Sequence, residues 1–220
     1  MKNLILVPGL SSPFHESHKM AYDSLFDEAK KREYLPKVVC LPGQANEYGE
    51  INNVYSPECC VEELTKILIN LENTEQKYRL VGFSCGCAVV MSTLARLPSL
   101  TRLDYVVLWG AIPFWLQWKV FILGKERNSV GNGTSVIQPE SEFFSQLEPV
   151  EYLIPLINYP MTLALGADDP YISDSYIEYL RSIAAHQQKK NYSFAIVEGC
   201  RHTVRVSECE NWQGYLSTIF

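Results

Sequence analysis

The sequence predicts an α/β domain in which a mostly parallel sheet of about six strands carries helices on both faces. Short runs rich in β-branched and aromatic residues alternate with longer amphipathic segments along the whole chain, which is the pattern of strand-helix-strand units. Two of the amphipathic segments open on a serine followed by proline, a capping oxygen next to the residue best suited to a first helical turn. The chain has 220 residues, 47% of them hydrophobic and 20% charged, enough for one full core and little more. A single domain over residues 1–220 is therefore expected.

Strands are expected at 4–7, 36–40, 78–81, 105–108, 161–165 and 193–197, each short, apolar and bounded by turn residues. Helices are expected near 14–32, 57–71, 85–97 and 174–187, with a last one after His202. Ser12-Pro13 and Ser56-Pro57 mark the starts of the first two. The stretch 111–155 breaks the alternation. It holds Phe114, Trp115, Trp118 and Phe121, then a turn-rich run at 128–134, and reads as an insertion between two strands. Insertions at the carboxyl ends of strands overhang the ligand crevice, so a lid or pocket wall is one expectation and an ordinary packed helix the other. Spacings of three and four put Phe114, Trp118 and Phe121 on one helical side, with Trp115 beside them.

Composition narrows the function. A formal net charge of −6 leaves no basic surface for a phosphate backbone, so no nucleic-acid partner is expected. The apolar run at the start is broken at Pro8-Gly9, too early for a secretory signal, and the most apolar stretch, 109–123, is interrupted by Gly110, Pro113, Gln117 and Lys119, so no transmembrane segment is expected. Seven cysteines, an odd number at irregular spacing in a chain with a good core, read as free thiols and a cytoplasmic protein. His15-Glu16-Ser17-His18 lacks the spacing of a helical zinc motif, and Cys85 and Cys87 stand too close together for a zinc knuckle; no metal is expected.

The chemistry concentrates at Gly82-Phe83-Ser84-Cys85-Gly86, which follows an expected strand and opens an expected helix. The pattern alone is weak, but between strand and helix it places a serine on a sharp turn whose glycines remove clashing side chains and push the hydroxyl out above the sheet. The turn also aims a helix amino terminus at the same point, so the Cys85 amide can donate to a developing oxyanion. A serine hydroxyl needs a neighbouring base, normally a histidine oriented by a carboxylate. Of four histidines, His202 alone follows a strand directly and would emerge at the same sheet edge as Ser84, whereas His15, His18 and His186 fall on or near helices. The loop after the fifth strand, Gly166-Ala167-Asp168-Asp169, offers two carboxylates.

These residues resemble the α/β-hydrolase superfamily, in which Ser, acid and His follow one another in this order and the acid stands in a strand-Gly-x-x-Asp loop. The resemblance favours Asp169 as the acid, with Asp168 as the alternative. It further implies a second oxyanion donor, the backbone amide of Leu10, from Val7-Pro8-Gly9-Leu10, where proline stands in place of the histidine of many relatives. Leu41-Pro42-Gly43 and Tyr55-Ser56-Pro57 resemble the loop leading into the family's second helix. The first two strands of larger relatives have no counterpart, which implies a minimal six-stranded version. The implied activity is hydrolysis of a small, partly apolar ester or thioester through an acyl-enzyme, without cofactor. Acyl transfer to another acceptor would use the same residues, and a binding protein on the same scaffold is the non-catalytic alternative.

Overall fold

A computed structural model describes residues 1–10, 12–52, 55–111, 154–186, 192–202 and 209–220. In these the chain forms β1 (Lys2–Val7), α1 (Glu16–Lys31), β2 (Tyr34–Val38), α2 (Pro57–Glu72), β3 (Tyr78–Phe83), α3 (Gly86–Arg96), β4 (Leu103–Trp109), β5 (Met161–Gly166), α4 (Asp174–His186), β6 (Tyr192–Val197) and α5 (Trp212–Ile219). The six strands make one sheet in the order β2-β1-β3-β4-β5-β6, parallel throughout. The insertion expected over 111–155, with Phe114, Trp115, Trp118 and Phe121, lies outside the described residues except at its two ends.

Strand order decides where the helices go. The step from β1 to β2 runs one way across the sheet, while those from β2 to β3, β3 to β4 and β5 to β6 run the other way. Right-handed crossovers then place α1 on one face and α2, α3 and α4 on the opposite face. The core divides accordingly. Leu4, Leu6, Val81, Val107 and Ala164 pack with Leu25 and Ala29 of α1 and with Tyr215, Leu216 and Ile219 of α5. Ile5, Val7, Leu80, Val106, Leu108 and Leu163 pack with Leu64 and Leu68 of α2, Val90 and Leu94 of α3, and Leu180 of α4. Strands covered on both faces account for near-continuous apolar runs such as Leu4-Ile5-Leu6-Val7.

Two boundaries differ from expectation. β2 begins at Tyr34, ahead of Pro36, because it is an edge strand, where a residue without an N–H can sit inside the strand. α1 begins at Glu16, four residues after Ser12. The Ser12 hydroxyl donates to the Ala45 carbonyl and accepts from the Phe14 amide, fastening the loop after β1 to the loop after β2. α2 starts as its sequence indicates, with Pro57 in the first turn and Ser56 Oγ accepting from the Cys59 amide at 3.1 Å. Among the described residues no helix is long and apolar enough to cross a membrane, and no three His, Cys, Asp or Glu side chains gather as metal ligands would.

Candidate active site

The connection leaving β1 runs one way across the sheet and the one leaving its neighbour β3 runs the other, so the loops at their carboxyl ends part and leave a crevice. Ser84 stands there, one residue past β3. Its φ is +52°, a left-handed conformation that costs a residue with a Cβ roughly 1–2 kcal/mol and must be held by its surroundings. The Ser84 amide donates to the Trp109 carbonyl at 2.9 Å, and the Ser84 carbonyl accepts from the Cys87 amide at 3.0 Å. A Cβ on Gly86 would lie 2.3 Å from the Pro8 carbonyl oxygen, and one on Gly9 would lie 3.0 Å from Ser84 Cβ. The loop after β1 therefore presses against the turn, and the flanking glycines permit that approach.

His202 Nε2 lies 2.8 Å from Ser84 Oγ, and His202 Nδ1 lies 2.7 Å from Asp169 Oδ2. Three residues from three loops thus form one line of hydrogen bonds. The Asp169 side chain is 0% exposed and that of His202 13%. Asp169 is further held by the Tyr171 amide, which donates to Oδ1 at 2.9 Å. Asp168 faces solvent, and its amide donates to the Cys200 carbonyl. Of the two carboxylates left open above, Asp169 is the one that meets the imidazole.

Several supporting residues carry no sequence signal of their own. The fully buried Trp109 donates its indole N–H to the His202 carbonyl at 3.1 Å, while its own carbonyl holds the Ser84 amide. Gly110 has φ +61°, and a Cβ there would come within 3.1 Å of His202 Nδ1. The Tyr171 ring stands edge-on to the imidazole, with centroids 4.9 Å apart.

Leu10 and Cys85, the expected oxyanion donors, flank Ser84 and pack on one another. Cys85 occupies the cap position of α3, so its backbone belongs to that helix's positive end. Burial pushes the Cys85 thiol up to about 12, only partly offset by a hydrogen bond with the Ser84 side chain. It is therefore protonated at neutral pH and a poor rival to Ser84 as nucleophile. The pocket aromatics Phe114, Trp115, Trp118 and Phe121 lie outside the described residues.

No family model matches the chain, and no curated protein does. Solved structures do. A monoacylglycerol lipase from Paleococcus ferrophilus superposes with a TM-score of 0.66 at 16% identity, over 97% of this chain and 90% of that one. An N-formylmaleamic acid deformylase from Pseudomonas putida gives 0.66 at 12% identity, over 100% and 92%. The thioesterase domain from the curacin biosynthetic pathway gives 0.65 at 11%, over 99% and 90%. These likenesses extend over almost the full length of each partner, and the chain shares their fold, the α/β-hydrolase fold.

Proposed function

We propose that the protein is a serine hydrolase that cleaves an ester or thioester of a small, partly apolar molecule. The observation that carries this reading is the unbroken hydrogen-bond line from Asp169 through His202 to Ser84. In the proposed reaction His202 Nε2 takes the hydroxyl proton as Ser84 Oγ attacks the carbonyl carbon. Asp169 holds the imidazole tautomer that makes this possible and stabilises the imidazolium that results. The amides of Leu10 and Cys85 receive the negative charge of the tetrahedral oxyanion. His202 then protonates the leaving group, and water, activated by the same imidazole, releases the acyl group from Ser84.

Support for the substrate class comes from the names of the structural neighbours, a lipase and a thioesterase among them, and from the aromatics at 114–121, which we assign to the acyl pocket. The seven free thiols support a cytoplasmic protein.

The test is labelling by a fluorophosphonate probe beside turnover of p-nitrophenyl acetate, butyrate and octanoate. Ser84→Ala removes both signals in a folded protein, and labelling that survives this substitution excludes Ser84 as nucleophile. Asp169→Asn lowers kcat by about 10³- to 10⁴-fold through the wrong imidazole tautomer, whereas Asp168→Asn leaves it nearly unchanged. The reverse order of effects would move the acid to Asp168.

A further inference from the structure

The geometry points to Gln44 as the residue that positions the oxyanion hole, by fixing the plane of the Gly9–Leu10 peptide; the inference rests on the reading of Ser84 as nucleophile. Gln44 is a buried polar side chain, 2% exposed, whose carboxamide must find its partners inside the protein. Its Nε2 donates to the Gly9 carbonyl oxygen at 2.5 Å, across 35 positions of sequence. That carbonyl and the Leu10 N–H belong to one planar trans peptide and point in opposite directions. Holding the oxygen toward Gln44 therefore turns the Leu10 N–H away from Gln44, and the hydrogen bond polarises that N–H into a better donor.

The need for such a clamp follows from Gly9 itself. A Cβ at position 9 would meet Ser84 Cβ at 3.0 Å, so any other residue would crowd the nucleophile and push the loop or the turn aside. Glycine also leaves the adjoining peptide free to rotate, and a rotated peptide would present a carbonyl oxygen where a donor is required. Gln44 removes that freedom.

Gln44 is itself held on a rigid base. Leu41-Pro42-Gly43-Gln44 is a turn closed by the Gln44 amide to the Leu41 carbonyl at 3.1 Å, with Gly43 at φ +84°. Proline followed by a left-handed glycine is the preferred centre of a type II turn. The side-chain Oε1 accepts from the Leu41 amide at 3.0 Å, so both ends of the carboxamide are engaged and its orientation is set. The following residue is pinned too, since the Ala45 carbonyl accepts from Ser12. The loops after β1 and β2 thus form one unit behind Ser84.

The experiment uses Gln44→Met and Gln44→Leu, both of similar bulk, uncharged and lacking the donor. It measures kcat and KM for p-nitrophenyl butyrate, and Ki for an alkyl trifluoromethyl ketone, which forms a hemiketal oxyanion on the serine. Variants are compared at a temperature where circular dichroism shows them folded. A donor engaged only in the transition state predicts a fall in kcat of roughly 10- to 100-fold with KM within about twofold, and a rise in Ki by the same factor as the loss in kcat/KM. A merely structural glutamine would lower the melting temperature and leave kcat and Ki in place, and that result overturns the inference. So does a fall in kcat without a change in Ki. Fluorophosphonate labelling of the unsubstituted protein separates the two levels: if it fails, the serine reading fails and takes this inference with it, whereas normal labelling beside unaffected variants removes Gln44 alone.

Discussion

Gly110 is held in the left-handed region directly beneath His202, and two separate costs meet there if a methyl group is added. The backbone would have to keep φ +61° with a Cβ, at roughly 1–2 kcal/mol, and the new atom would stand 3.1 Å from His202 Nδ1. Gly110→Ala is expected to push the imidazole off the Ser84–Asp169 line, lowering kcat by about 100-fold while the melting temperature falls only modestly. Equal turnover at a lowered melting temperature would show that the imidazole absorbs the contact without moving. Ser84 and His202 stood out in the sequence because each follows an expected strand, whereas Asp168 and Asp169 both do, and only the family resemblance favoured the one that lies against the imidazole. Trp109, Gly110 and Gln44 did not stand out, since what makes them important is a contact made across tens of residues. Pro42-Gly43 marked the turn that carries Gln44, but nothing local told where its carboxamide would reach.

The elements were legible where local chemistry and tertiary packing agree, as at Ser56-Pro57, where the hydroxyl meets an orphan amide of α2. They were less so at α1. Ser12-Pro13 has the same signature, yet α1 starts only at Glu16, and the Ser12 oxygen accepts from the Phe14 amide in the preceding turn while its hydroxyl donates to the Ala45 carbonyl. At the other end of α2 a long-range contact decides the structure. Glu72 accepts from the amides of Thr101 and Arg102 and from the hydroxyls of Thr101 and Tyr78, tying the helix end to the approach to β4. Burial raises the affinity of this carboxyl for its proton, but those four groups together favour the ionised form more and hold it below the usual glutamate range. A carboxylate with a lowered folded pKa adds stability above its unfolded value of about 4.3 and gives it up as pH falls through the folded one. Glu72→Gln should therefore cost about 1 kcal/mol at pH 7, and the gap in melting temperature between the two proteins should close as pH drops below about 4. A gap that stays constant down to pH 3 would mean that the charge contributes nothing.

For the whole molecule, the alternation of short apolar runs with amphipathic segments was enough to indicate a parallel sheet covered on both faces, because the inner strands β1, β3, β4 and β5 are largely buried and read as apolar blocks, while the edge strands β2 and β6 are partly exposed. The divergence of the connections leaving β1 and β3 was not written in any segment. It follows from which strand pairs with which, and it is what opens the crevice at Ser84. The same order has a consequence in time. Neighbouring strands of a parallel sheet are joined only through long crossovers, and the hydrogen bonds of the candidate site link residues 118 and 33 positions apart. Contacts at such separations form late, after much of the helical content is in place. On dilution from denaturant, far-ultraviolet circular dichroism should recover first and fluorophosphonate labelling of Ser84 afterwards, with a measurable lag between them. Coincident recovery would mean that strands and site assemble in a single step, and that a chain still in transit through folding already carries a competent nucleophile.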